Sequence, residues 1–69
     1  MIKERFVVIV DMSRHLNILD TVSSIFWEYS GCYDVEKDIE ETVAECHRQN
    51  KQLRLGQEAD WLREYKNPY

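Results

Sequence analysis

The sequence contains few of the residues that build disulfide frameworks, glycine-rich loops or membrane spans. Its 69 residues include two cysteines, two glycines and one proline, and no apolar run approaches the roughly 18 residues of a transmembrane helix. The glycines are too far apart for a phosphate-binding loop, and the N-terminus lacks the pattern of a secretory signal. We therefore expect one small domain in the cytoplasm, with no membrane partner and no cofactor.

Basic side chains are also in the minority. Nine Lys and Arg residues stand against thirteen Asp and Glu residues, so the net charge is −4. Nucleic-acid phosphates and anionic membranes repel an acidic chain, and neither is an expected general partner.

What the chain does contain is a short, strongly apolar run near its N-terminus. The run consists of five consecutive residues: Phe6, Val7, Val8, Ile9 and Val10. β-branched side chains favour extended backbone, so the run predicts a strand that is buried on both faces. No second run of comparable strength follows, and a chain of this length buries only a thin core. We therefore predict that the strand pairs with its copy in a homodimer, with these residues as the interface.

A helix is predicted for residues 14–30. Asp11 and Ser13 offer N-cap side chains before it, and Gly31 suits the left-handed residue that ends a helix. Apolar side chains in the segment fall on one stripe at helical spacing: Ile18, Leu19, Val22, Ile25, Phe26 and Tyr29. The alternative is a strand over residues 21–29, which are rich in β-branched and aromatic side chains. The stripe favours the helix.

A second main helix is predicted for residues 34–52. Asp34 is its N-cap, acidic residues follow in the first turns, and basic residues lie near its end, as the helix dipole favours. The buried stripe of this helix is Val35, Ile39, Val43 and Cys46. A break near Gly56 and a short helix over residues 57–66 complete a mostly helical α+β fold. An unbroken helix through Gly56 and a short strand over residues 52–55 are the alternatives.

The sequence offers little for metal binding or catalysis. Four side chains could bind a metal: Cys32, Cys46, His15 and His47. Their spacing matches no known ligand motif; Cys46 suits a small buried apolar position, and Cys32 is expected to be exposed in a turn. Neither histidine has the neighbours of a nucleophilic site, and the Glu40–Glu41 pair is typical of a solvated helix face. We expect a protein that is not an enzyme and binds no metal.

A strand followed by two helices in a small dimer resembles the ribbon-helix-helix regulators. The resemblance covers the order of elements from about Lys3 to Gln52, and it implies a two-stranded ribbon in the DNA major groove. Only Lys3 and Arg5 could reach DNA from this strand, and the acidic helix would repel phosphates. A DNA-binding regulator or antitoxin of this kind is the alternative function.

Aromatic side chains are numerous for so small a domain, and Trp and Tyr often anchor partner interfaces. The C-terminal segment concentrates them, so the predicted partner contacts are Trp61, Leu62 and Tyr65, although the same residues could pack the last helix onto the core. A second candidate surface for a partner is acidic: Asp38, Glu41 and Glu45.

In size, acidity and lack of catalytic residues the chain resembles the small inhibitory proteins that phages and mobile elements make against host regulators. These include anti-activators of transcription and anti-defence proteins. The resemblance implies a non-catalytic, dimeric binding module that inhibits a larger protein partner.

Overall fold

The computed structural model describes residues 4–65 as a three-stranded antiparallel sheet followed by two helices. Strand β1 spans Phe6–Val10, β2 spans Leu16–Asp20 and β3 spans Ile25–Trp27. Helix α1 spans Val35–Arg54 and α2 spans Asp60–Tyr65. The strands lie in the order β1-β2-β3, so each hairpin joins neighbours.

The prediction of a mostly helical fold with two main helices is wrong, because residues 16–27 form two strands rather than a helix. The turn before β2 explains the error. The Asp11 carboxylate accepts bonds at 2.9 Å from the backbone N–H groups of Ser13 and His15. An aspartate that can cap a helix can equally close an Asx turn, and here it closes the β1–β2 hairpin.

The second hairpin turn is built in the same way. The Asp20 carboxylate accepts from the Val22 N–H at 3.0 Å and from the Ser23 hydroxyl at 2.9 Å. Ser24 then adopts φ of 63°, a left-handed conformation that reverses the chain into β3. The apolar residues of this segment are spaced as in a helix, but the two turns closed by Asp11 and Asp20 direct the chain into hairpins. The tertiary contacts of the sheet then override the local periodicity.

Strand pairing across a homodimer is likewise corrected, because β1 finds its partner within the same chain. It pairs with β2 in antiparallel register from Phe6 opposite Asp20 to Val10 opposite Leu16. The ribbon-helix-helix order of elements, one strand and then two helices, is therefore absent from residues 4–65.

The predictions for α1 are confirmed at both ends. The Asp34 side chain accepts from the N–H groups of Glu36 and Lys37, as an N-cap does. The break near Gly56 is also confirmed: Gly56 has φ of 80°, and its N–H bonds to the Leu53 carbonyl at 3.0 Å. This is the left-handed glycine of a helix C-terminus.

The predicted left-handed conformation of Gly31 is present, with φ of 77°. The residue lies in the loop before α1 rather than at a helix end. The predicted last helix begins later than expected, at Asp60, and residue 66 lies outside the described residues.

The core lies between one face of the sheet and the two helices. Its buried residues are Phe6, Ile18, Cys46, Ala59 and Trp61. The rings of Phe6 and Trp61 meet edge to face, with centroids 5.2 Å apart, a favourable aromatic geometry. Neither helix within residues 4–65 is both long enough and apolar enough to cross a membrane.

The buried face of α1 is more polar than its predicted stripe. Val35, Ile39 and Val43 are only half-buried, whereas the fully buried positions are Thr42, Cys46, Gln49 and Asn50. The polar members dock other elements through hydrogen bonds, as described for Asn50 below.

Candidate functional site

Strand β1 lies at the edge of the sheet, so half of its backbone groups face away from β2. Two backbone hydrogen bonds, one on each side of the strand, show which residues of β1 bond to β2. The Thr21 N–H donates to the Arg5 carbonyl at 2.8 Å, and the Asp11 N–H donates to the His15 carbonyl at 3.0 Å. Because antiparallel pairs alternate, the odd-numbered residues of β1 bond to β2. The even-numbered residues direct their N–H and C=O groups outwards.

Helix α1 covers the first of these outward positions. The Phe6 N–H donates to the Asn50 Oδ1 at 2.9 Å, and the Asn50 Nδ2 donates to the Phe6 carbonyl at 2.9 Å. The Cys46 thiol donates to the same carbonyl at 3.3 Å. The outward groups of Val8 and Val10 bond to no other residue in the described part of the chain. The edge is therefore closed at Phe6 and open from Val8 onwards.

An apolar groove of about 250 Å³ runs beside this open edge, between β1 and α1. Its strand wall is formed by Phe6, Val7 and Val8, and its helix wall includes Val43 and His47. Successive strand side chains point to opposite faces. A groove on one face of the sheet would therefore be lined only by every second residue. Because Phe6, Val7 and Val8 all line this groove, it follows the edge of the strand.

The two ends of helix α1 lie beside different strands of the sheet. Just before α1, the Leu16 N–H donates to the Tyr33 carbonyl at 2.7 Å, so this end lies beside β2, on its side away from β1. At the other end, the Arg54 guanidinium pairs with the Glu4 carboxylate beside β1. The helix therefore moves away from the β1 edge as the strand approaches Val10.

Two exposed carboxylates lie beyond the groove lining, on the same side of α1 as Val43. Glu36 and Glu40 are exposed, and at seven and three residues before Val43 they share its side of the helix. Neither forms an ion pair within residues 4–65. At the end of the groove lined by Glu4, Arg54 neutralises the Glu4 carboxylate.

Both cysteines are free thiols in buried positions. Burial is the main cause that raises the pKa of Cys32 to about 11, and the Glu41 carboxylate that accepts its S–H raises it further. Burial likewise raises the pKa of Cys46 to about 11. Neither is a thiolate near neutral pH, so neither is an activated nucleophile. The expected exposure of Cys32 is wrong, and the buried apolar position of Cys46 is confirmed.

Within residues 4–65, no three metal-binding side chains lie close enough to share an ion. His15 is at the β1–β2 turn and His47 borders the groove on α1. The structure does not bring these two histidines together with the cysteines.

The aromatic partner contacts predicted from the sequence lie mainly inside the molecule. Trp61 is 2% exposed, and Leu62 is half-buried against the core. The side chain of Tyr65 is outside the described part of the structure. Trp61 therefore contributes to the packing of the free protein, and a partner would have to dislodge α2 to reach it.

The three acidic residues predicted as a second surface each serve a contact within the chain. Asp38 accepts from the Tyr33 N–H at 3.1 Å and from the Asp34 N–H at 2.9 Å. Glu41 accepts from Cys32, and Glu45 pairs with Arg48. Of the three, only Glu45 gains an opposite charge, from Arg48. Asp38 and Glu41 keep their charge and are held by neutral donors. Glu36 and Glu40 form neither kind of contact within residues 4–65.

The residues predicted as a dimer interface divide between two faces of β1. Phe6 is buried in the core and Val8 packs against it, Val10 is 49% exposed, and Val7 and Ile9 point to the opposite face. On that outer face, Val7, Leu19 and Phe26 form one row in register across the sheet, with Phe26 64% exposed. Lys3, a predicted DNA contact, lies outside the described residues.

Sequence reasoning missed Gln49 and Asn50, which position the elements around the groove. Gln49 is fully buried and its Oε1 accepts from the Trp61 N–H at 3.1 Å. The signal was their spacing: both continue the stripe beyond Cys46 by three and four residues. A polar residue at a buried helical position needs hydrogen-bond partners.

Comparisons with protein-family models, with curated proteins and with solved structures found no match to this chain.

Proposed function

We propose that this chain is a non-catalytic protein-binding module that inhibits a larger protein by holding one of its segments. The observation that carries the proposal is the open edge of β1 beside an apolar groove. An unpaired strand edge is a template for another strand, and proteins usually cover or charge such edges. Here Asn50 covers Phe6, and the next two outward positions are left open over apolar side chains.

A binding role is also supported by the state of the nucleophilic side chains. Both thiols are buried, each with a pKa raised to about 11 by burial in the first place. Glu4, the carboxylate that lines the groove just before β1, is paired with Arg54. The groove therefore offers shape, apolar surface and backbone groups, and its lining thiol, Cys46, is not an activated nucleophile.

A homodimer remains part of the proposal, on the outer sheet face rather than through strand pairing. The row of Val7, Leu19 and Phe26 carries no charge at its centre, so two acidic chains can meet there without opposing carboxylates. Sedimentation of Phe26→Ser should show fewer dimers than wild type. The control Val22→Ser changes a 71% exposed residue outside the row and should sediment as wild type does; a wild-type monomer at high micromolar concentration would exclude the dimer.

The binding function is tested by parallel capture from the native cell. Tagged wild-type protein and the variant Val10→Pro are compared, because proline removes an outward N–H that no described residue uses. A protein held by wild type, lost with Val10→Pro and retained by Val22→Ser supports the proposal. Equal capture by all three, or capture by none, contradicts it.

A further inference from the structure

We propose that the groove takes an extended peptide segment containing an apolar residue and a lysine or arginine. The segment pairs with the outward backbone groups of Val8 and Val10, inserts its apolar side chain between β1 and α1, and places its cation beside Glu36 and Glu40. The inference rests on the proposed binding function and adds the chemistry of the bound segment.

The backbone step follows from the pairing at Phe6. There the Asn50 carboxamide supplies one acceptor and one donor at 2.9 Å each, which are the groups that a neighbouring strand would supply. The same two kinds of group face outwards at Val8 and Val10. A peptide in extended conformation continues this ladder from the point where Asn50 ends it, as in strand addition to a sheet edge.

The apolar step follows from the size and lining of the groove. Its volume is about 250 Å³, and a cavity of about 150 Å³ already holds a benzene molecule. It is lined by Val8 of the strand and by Val43 and Cys46 of the helix. One large aliphatic or aromatic side chain fits this space, and its burial supplies the affinity that backbone pairing lacks.

The charge step identifies the flanking residue. Glu36 and Glu40 are exposed and without an ion pair in the described chain, whereas Glu4 at the other end is neutralised by Arg54. A cation on the peptide therefore gains most at the end of the groove near Val10.

The same charges argue against a second copy of this chain as the occupant. Pairing two β1 edges would bring both pairs of Glu36 and Glu40 into one interface, and each chain carries a net charge of −4. A basic peptide meets attraction where a second copy meets repulsion.

The test begins with a library of phage-displayed random octapeptides selected on the 69-residue protein. Enriched sequences should share an apolar position and a nearby lysine or arginine. The tightest peptide is then synthesised, and its binding is measured by fluorescence anisotropy. Amide NMR shifts of the labelled protein should change most at Val8 and Val10.

Matched variants separate the two kinds of contact. Glu40→Lys should weaken binding about two- to fivefold, the range of an exposed ion pair, and Glu28→Lys, the same change at an exposed site beyond β3, should leave it unchanged. Val10→Pro should weaken binding about tenfold through one lost hydrogen bond. Urea unfolding of each variant verifies that the fold is retained.

Other outcomes of these experiments would show whether the peptide site in the groove or the binding function itself is wrong. Shifts confined to Val7, Leu19 and Phe26 would overturn the groove as the peptide site and keep the binding function. A dimer that protects the amides of Val8 and Val10 would identify a second copy as the occupant and overturn the inference. If the library yields no peptide, the peptide chemistry is wrong; if native-cell capture also fails, the binding function is wrong too.

Discussion

The Asn50 carboxamide pairs with both backbone groups of Phe6, donating to its C=O and accepting from its N–H at 2.9 Å each. The two residues are 44 positions apart in the chain. One side chain thus substitutes for a neighbouring strand at the edge of the sheet. It fixes where α1 meets β1, and consequently where the open edge and the groove begin.

Asn50→Ala should lower the free energy of unfolding by about 2–3 kcal/mol, because it leaves the buried N–H of Phe6 without a partner and leaves the Phe6 C=O with only the weak Cys46 thiol donor. Lys51→Ala is the control, since Lys51 is the exposed next residue of α1 and should change stability little. Urea titration followed by tryptophan fluorescence measures both. Equal midpoints for the two variants would show that the pairing contributes nothing to stability.

Trp61→Ala should destabilise the free protein by about 3–5 kcal/mol, as large-to-small changes in a core do. Trp61 is 2% exposed and contacts Phe6, Trp27 and Tyr29 through ring–ring geometry. Phe26→Ser, on the 64% exposed Phe26, should cost about 1 kcal/mol or less. Thermal unfolding followed by circular dichroism compares them. A wild-type melting temperature for Trp61→Ala would restore the C-terminal segment as a partner surface.

Asp20 should contribute a pH-dependent part of the stability. Burial opposes its ionisation, but bonds from Arg5, the Val22 N–H and Ser23 outweigh burial and lower the pKa from 3.8 to about 2. A lowered folded-state pKa gives stability that is present above pH ~4 and is lost as the pH falls toward about 2.

Asp20→Asn tests this contribution. Above pH ~4, wild type should have a higher free energy of unfolding than the variant. This difference should decrease by about 1–2 kcal/mol on acidification to about pH 2, a range that allows for solvent screening at the partly exposed Arg5. Urea titrations at several pH values measure the difference. A difference that is constant with pH would contradict the lowered pKa.

Two substitutions of Ser24 should change the free energy of unfolding in opposite directions. Its φ of 63° is left-handed, which glycine adopts freely and β-branched residues resist. Ser24→Gly should therefore stabilise the protein by up to about 1 kcal/mol, and Ser24→Val should destabilise it by about 1–2 kcal/mol. Denaturant midpoints provide the measurement, and the same sign for both variants would exclude backbone conformation as the cause.

The parts of the fold that sequence reasoning predicted correctly are those decided by neighbouring residues. Asp34 caps α1 through N–H groups two and three residues ahead, and Gly56 ends it through local carbonyl bonds. Residues 14–30 were assigned to the wrong structure because their spacing fits a helix, whereas the hairpins depend on Asp11 and Asp20. An aspartate signals a helix cap and a turn equally well, because its carboxylate accepts from nearby backbone N–H groups in both.

The candidate site could be predicted only in part. The residues of β1 were recognised as a strand in need of a partner, but its partner in β2 was not. The groove depends on which face of α1 meets β1. Gln49 and Asn50 orient that face, and they continue the buried stripe beyond Cys46, but a search for apolar residues alone passes over them because they are polar. The aromatic surplus suggested a surface at Trp61, whereas packing with Phe6 and Trp27 buries that residue.

The sequence by itself determined the strand character of β1, the extent of α1 and the acidic balance of its first turns, because these follow from side-chain branching, capping and charge over short distances. Only the tertiary structure decided that β1 pairs with β2, that Asn50 closes the edge at Phe6, and that Val8 and Val10 stay open beside a groove. These three features depend on contacts between residues that are far apart in the chain. Such contacts contribute to stability only when the sheet and the helix have packed together.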